Sequence, residues 1–181
     1  MTKKYRLAYA LMFGIQLLCN RADAQVRLGD ILRSSDGAVL HASMDRAESH
    51  CRELDTRLPT ARELALFSVS LGAGEIRETA HPGLVKTSES VQAEIAGMRS
   101  AQYYPVYVEN SARQTTVEFY YTPVGYLRPA GDNGKYWFWS SSLQPDHRVE
   151  GYVYVLNGDS GVFDYGTRSI DYGFNAIRCL Q

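Results

Sequence analysis

Apolar residues recur at helical spacing in the segment that follows Ser43. Met44, Ala47, Cys51 and Leu54 fall on one face of an α-helix, and polar residues fall on the other. A serine directly before such a segment can accept a hydrogen bond from the first helical amides. The pattern predicts a first helix that runs to about Leu54 with Cys51 facing the core.

A second helix start lies at Thr60, three residues before Glu63. The Thr60 hydroxyl can accept from the Glu63 amide while the Glu63 carboxylate accepts from the Thr60 amide, which is a capping box. Gly72 ends this helix. Residues 72–87 are predicted to form an irregular surface loop, and residues 90–98 a third helix. The apolar stripe predicted for the second helix consists of Leu64, Phe67 and Leu71.

From residue 103 onward the chain has short runs of Val, Tyr, Phe and Trp separated by turn residues. Asn157-Gly158 between two such runs is a hairpin signal. Helices in the first half and strands in the second predict an α+β domain, with two to three helices followed by antiparallel strands. The predicted strands are residues 106–108, 116–121, 136–140, 151–156, 161–165 and 176–180.

The first 24 residues have the composition of a signal peptide. Basic residues at positions 3, 4 and 6 precede an apolar run over residues 7–19, and Ala22-Asp23-Ala24 supplies a small-x-small cleavage pattern. The run is shorter than the about 20 residues that cross a bilayer core, which disfavours a membrane anchor. A lipoprotein is also disfavoured, because Cys19 is not preceded by small residues. We therefore expect residues 1–24 to be a signal peptide and residues 25–181 to be one exported domain, periplasmic, on the cell surface or secreted.

Removal of this leader would make the protein acidic. The whole chain has 19 Lys and Arg against 20 Asp and Glu, and the leader holds four of the basic residues and one acidic residue, which leaves 15 against 19. Nucleic acid is a poor partner for such a surface, since its binding depends on Lys and Arg at the phosphates. No second long apolar run follows residue 24, so we expect no membrane span after cleavage.

Two cysteines, Cys51 and Cys179, remain after residue 24. In an oxidising compartment the simplest outcome is one disulfide between them. A free thiol pair and a metal site are the alternatives, although two cysteines alone make a weak zinc site.

Three segments carry a family resemblance. AESHCRELDTRLPTARELALF resembles the helix–loop–helix of the bacterial DUF1566 (Lcl C-terminal) family, YWFWSSS resembles its W-S-S strand, and GYVYVLNGDSGVFDYGTRSIDYGFNAIRCLQ resembles its C-terminal strands. The opening LGDILRSSDGAVL resembles the related Fibrobacter succinogenes major paralogous domain. The resemblance covers both ends of the mature chain but not residues 72–134.

The resemblance implies a C-type-lectin-like fold with paired termini and a bond between Cys51 and Cys179. Most of the shared motif residues are expected to shape the fold. Trp139 is expected to fill the core, with the serines at 140–142 ending its strand, and Arg57 to pair with a carboxylate or carbonyls near the second helix.

The sequence carries no motif that assembles a catalytic centre. Its four histidines do not stand at H-x-x-x-H or H-E-x-x-H spacing, and no nucleophile elbow, phosphate loop or dinucleotide motif occurs. We therefore expect no enzyme activity, no catalytic residue and no cofactor. Calcium is the alternative, because loop oxygens suit a hard cation, although the same residues also form turns. Its candidate ligands are Asp132, Asn133, Asn157 and Asp159.

Tyrosine is concentrated in the last third of the chain, where Asn, Asp, Ser and Gly accompany it. Rigid aromatic rings with small polar groups are typical of recognition surfaces, although at Tyr152 and Tyr154 strand propensity suffices. We expect a recognition or adhesion module that binds glycan or protein. The alternative is an envelope structural protein or a homo-oligomer subunit, with the aromatics at an interface. The candidate ligand-binding residues are Tyr126, Asp132, Asn133, Asn157, Asp159, Tyr165, Tyr172 and Asn175.

Overall fold

The structure is a computed structural model, and it describes residues 26–79, 104–123, 136–145, 151–168 and 175–181. Two helices precede two sheets in these ranges, which confirms the predicted α+β class. Neither helix in the described ranges has the length and apolarity to cross a membrane. In chain order the elements are α1 (Met44–Glu53), α2 (Ala61–Ser70), β1 (Gly74–Glu78), β2 (Tyr104–Glu109), β3 (Thr115–Pro123), β4 (Trp137–Leu143), β5 (Tyr152–Asn157), β6 (Phe163–Thr167) and β7 (Asn175–Ala176).

The strands form a three-stranded sheet in the order β1-β3-β2 and a four-stranded sheet in the order β6-β5-β4-β7. The prediction of antiparallel strands is confirmed for all pairs except β4 with β7, which is parallel. The predicted strand at 176–180 is too long. After β7 the chain leaves the edge of β4 and meets the N-terminal segment. There Leu180 makes single antiparallel bridges to Leu28 and to Arg57.

Helix α1 confirms the first predicted helix and places Cys51 in the core. Met44, Ala47 and Cys51 are buried, and Cys51 forms a disulfide with Cys179. Leu54 was expected on the same face, but it is 55% exposed. It lies one residue beyond the end of the helix, where the backbone leaves helical geometry and turns back, so helical spacing no longer decides where its side chain points.

Helix α2 begins with the predicted capping box. Thr60 Oγ1 accepts from the Glu63 amide at 3.2 Å, and Glu63 Oε2 accepts from the Thr60 amide at 2.8 Å. Arg57 donates to both Glu63 oxygens, and this bond is the main reason that the pKa of Glu63 lies below its ordinary value. Of the predicted stripe, Leu64 is buried, Phe67 is half-buried and Leu71 is 45% exposed, because α2 ends at Ser70.

The segment after Gly72 is a strand and not the predicted irregular loop. Strand β1 pairs antiparallel with β3, with Ile76 opposite Tyr121. Only one residue of β1 is a strong strand former, so the pairing with the aromatic β3 stabilises it. The predicted third helix at 90–98 lies outside the described residues.

The Trp139 side chain is buried, as predicted, and its Nε1 donates to the Ala42 carbonyl at 2.7 Å. The serines that follow were expected to end β4 but lie inside it, because they bond to the start of α2. The Ser141 amide donates to the Pro59 carbonyl, and Ser142 Oγ accepts from the Ala61 amide. The register with β5 is irregular over this stretch, and the serines fix β4 to the N-terminus of α2.

Candidate functional site

Half of the predicted ligand-binding residues fall within the described part of the chain. Tyr126, Asp132, Asn133 and Tyr172 lie outside it. Asn157, Asp159, Tyr165 and Asn175 lie inside it, and they occupy three different places in the four-stranded sheet.

Asn157 ends β5 and shapes the turn that leads into β6. Its side-chain Oδ1 accepts from the Asp159 amide at 2.8 Å and from the Ser160 amide at 2.9 Å. The Gly161 amide closes the turn on the Asn157 carbonyl, with Gly161 at a positive φ of 70°. The predicted hairpin is therefore confirmed, and the side-chain oxygen of Asn157 is fully used within it. The Nδ2 amino group keeps two N–H donors.

This use of the Asn157 oxygen bears on the calcium alternative. An amide binds calcium through its oxygen, and here that oxygen already accepts two backbone N–H groups. Asp159, the other described candidate ligand, is exposed. Among the described residues, no three His, Cys, Asp or Glu side chains stand close enough together to hold a metal ion.

Asn157 and Asn175 lie on either side of Trp137. In the sheet register Trp137 is paired with Asn157 of β5 and with Asn175 of β7. Paired residues on neighbouring strands project from the same face of a sheet, and strands are about 4.8 Å apart, so the three side chains form a row about 10 Å long. All three are half-buried. We call Asn157, Trp137 and Asn175 the Asn-Trp-Asn row.

The elements beneath this row hold it in place. Trp137 packs against the core cluster that contains Trp139, Val155 and Ile177. Trp139 and Val155 are paired with each other on the same face of the sheet, two residues from Trp137 and Asn157. The Asn175 carbonyl accepts from the Ala42 amide at 3.3 Å. The row therefore lies where the core meets the surface, on backbone fixed by three strands.

Within the described residues, neither Asn157 Nδ2 nor the Asn175 side chain has a hydrogen-bond partner. The row contains no charged side chain. It therefore offers amide donors, one amide acceptor and an indole, a set that can bind an uncharged polar ligand.

Trp137 was not among the predicted ligand-binding residues. The YWFW segment could have pointed to Trp137. Its two tryptophans are two residues apart, so in a strand they project from the same face, and Trp137 lies at the strand end. Only the pairing with β5 and β7 shows that this end lies between two predicted asparagines.

No family model, curated protein or solved structure matches this chain. The DUF1566 resemblance therefore stays a prediction, as does the C-type-lectin-like fold.

Tyr165 lies apart from the row. It was expected in or beside a loop, but it is the central residue of β6, where pairing with β5 keeps the backbone extended. It projects from the face opposite to the row, next to Tyr154, and its ring meets Tyr152 edge-on with centroids 5.5 Å apart. Tyr165 is 47% exposed. We call Tyr152 and Tyr165 the tyrosine pair.

Tyr154 has a structural role, as predicted. Its ring is buried between the two sheets, and its hydroxyl accepts from the Tyr107 amide at 2.9 Å. Burial raises the pKa of the Tyr154 phenol well above its ordinary value, so the group stays protonated at neutral pH.

Surface grooves formed by the described residues lie elsewhere. One of about 470 Å³ runs along the N-terminal segment from Gly29 to Arg33 and reaches Leu54, Cys179 and Leu180. A smaller groove of about 300 Å³ lies beside α1 and the Arg57 segment. Neither groove includes a residue of the row or of the tyrosine pair.

Proposed function

We propose that this protein is a non-catalytic recognition module whose ligand-binding surface is the Asn-Trp-Asn row. One observation carries the proposal. Two asparagines from separate segments lie on opposite sides of a half-buried tryptophan, in register on one face of the sheet. Aromatic rings flanked by amides combine a rigid apolar surface with directional hydrogen bonds, which is the composition of binding surfaces for glycans and proteins.

The rigidity of the row supports this role. Binding is stronger when the contacting groups are already held in their bound geometry, since less conformational entropy is lost. The Asn157 amide is fixed by its turn, the Trp137 ring by the core cluster, and the Asn175 backbone by its bond to Ala42.

The proposal includes a C-type-lectin-like fold of the DUF1566 kind. The order of helices before strands, the bridge from Leu28 to Leu180 and the disulfide between Cys51 and Cys179 support it. We also propose that the protein is exported, because the leader has the pattern of a signal peptide and a disulfide is typical of oxidising compartments.

A direct binding screen tests this function. The purified oxidised protein should bind selected members of a glycan array or of a panel of purified envelope proteins. Asn175→Ala should weaken that binding at least about tenfold, because the complex loses a hydrogen bond and the polar group of the ligand that made it is left without a partner. Val69→Ala is the control, since it shortens an exposed side chain on α2 that is not part of the row. Absence of any ligand, or equal binding by wild type and Asn175→Ala, would contradict the proposal.

A second candidate function is a subunit of a homo-oligomer, and the tyrosine pair favours it. Tyr165 is a large exposed ring on β6, which has no partner on its outer side among the described strands. Such edges pair readily with another chain. Sedimentation of the wild type over a range of concentrations tests this: a self-association that Tyr165→Ala abolishes supports the oligomer, and a monomer at all concentrations contradicts it.

A further inference from the structure

We infer that the ligand of the Asn-Trp-Asn row is a neutral glycan, and that one pyranose ring is bound by the three side chains without a metal ion. The inference rests on the proposed function and specifies its ligand. Three features of the row support it: the hydrogen-bonding state of each asparagine, the indole between them and the absence of charge on all three side chains.

Asn157 is a fixed donor. Both backbone amides of the turn donate to its Oδ1, so the carboxamide cannot rotate without breaking two hydrogen bonds. What it presents to a ligand is the Nδ2 amino group, which donates only. The ligand must therefore carry an acceptor oxygen at this end of the row. A cation is excluded as the partner of this group, because an amide nitrogen offers it no free lone pair.

Trp137 supplies an apolar surface between the two amides. The face of an aromatic ring is electron-rich and attracts the positive edges of C–H bonds. A pyranose ring has such C–H groups on its faces and hydroxyls around its rim. The indole of Trp137 is held by the core cluster, so a sugar that lies against it meets a surface that does not need to be ordered on binding.

Asn175 completes the set with a carboxamide that can both donate and accept. It lies on the far side of Trp137 from Asn157, so the row can bond hydroxyls on opposite edges of one sugar ring. None of the three residues is charged, so the row itself gives an anionic sugar no cation to offset the loss of its hydration. Neutral sugars satisfy the row, and acidic sugars do not.

The test uses one isosteric substitution, one substitution that removes the indole, and defined probes. Asn157→Asp keeps an oxygen for the two turn amides but removes the Nδ2 donor, so the hairpin should stay folded while sugar binding is weakened. Trp137→Leu removes the indole and keeps an apolar side chain. The probes are the methyl glycosides of glucose, galactose, mannose and N-acetylglucosamine, with glucuronic acid as the anionic comparison. Binding is measured by saturation-transfer NMR and calorimetry on the oxidised full-length mature protein, in the presence of EDTA.

We expect at least one neutral glycoside to bind in EDTA with a dissociation constant on the order of 1 mM, as befits a single sugar ring. Asn157→Asp and Trp137→Leu should each weaken it by about tenfold or more. Val69→Ala, at an exposed position of α2, should bind as wild type does. Urea unfolding of each variant establishes that the domain is folded.

Several outcomes would overturn this inference. They are binding that requires added calcium, binding of glucuronic acid alone, full binding by Asn157→Asp, or no glycoside bound at all. If a protein ligand binds through the row while no glycoside does, the glycan inference fails and the proposed recognition function stands. If nothing binds, both fail.

Discussion

Replacing both disulfide cysteines with alanine should lower the free energy of unfolding by about 2–5 kcal/mol. Cys51 and Cys179 are 128 residues apart in the sequence, so their bond restricts most of the unfolded chain. Loop-closure entropy for a loop of this length gives an upper value of about 5 kcal/mol, and native disulfides often contribute less. Both cysteines are also buried in the cluster that contains Trp139, so truncation removes packing as well. The double substitution avoids leaving one unpaired thiol in that cluster.

Urea unfolding followed by circular dichroism and tryptophan fluorescence measures this loss. Because the disulfide restricts the unfolded chain, its removal should also steepen the dependence of the unfolding free energy on urea, as the unfolded state exposes more surface. A loss of less than about 1 kcal/mol with an unchanged urea dependence would refute the reasoning. So would a mass measurement of the non-reduced wild type that shows two free thiols.

Three further substitutions test local features of the fold by the same urea assay. Thr60→Ala should cost about 1 kcal/mol through the lost helix cap, and Ser43→Ala should cost less, because the Ser43 side chain makes no cap bond; equal losses would contradict this. Gly74→Ala should cost about 1–3 kcal/mol, because the new Cβ would overlap the Tyr121 hydroxyl; an unchanged midpoint would contradict it. Burial raises the pKa of Glu118 in the folded protein above its ordinary value of 4.5. Between these two pKa values the folded state binds more protons than the unfolded state, so the free energy of unfolding falls as the pH rises through this window. Glu118→Gln should make this fall less steep, and an unchanged slope would exclude Glu118 as its source.

The features that were predictable from the sequence depend on neighbours within a few residues. The capping box needs only Thr60 and Glu63, and the hairpin turn needs only the Asn157 side chain and the amides that follow it. Helix α1 was predictable because its buried residues repeat within one short segment. The disulfide was the simplest outcome for the two cysteines that follow residue 24.

The features that the sequence did not reveal depend on distant partners. Strand β1 has little strand propensity of its own and exists because β3 pairs with it. Leu54 and Leu71 continue the apolar spacing of their helices, but each helix ends one residue earlier, and spacing does not show an end. Two of the three residues of the candidate site were predicted from the sequence. Asn157 and Asn175 were chosen for their residue type, whereas the place of Trp137 between them depends on sheet register.

The chain contains only two tryptophans, so one NMR spectrum can test whether Trp137 belongs to the ligand-binding surface. The Trp139 indole N–H is buried and bonded to Ala42, whereas Trp137 is half-buried in the row. In a nitrogen–proton NMR titration with the bound glycoside, assigned with Trp137→Phe, the Trp137 indole signal should shift and saturate while the Trp139 signal stays nearly constant. Saturable binding that leaves the Trp137 signal unmoved would contradict the assignment of the Asn-Trp-Asn row as the binding surface.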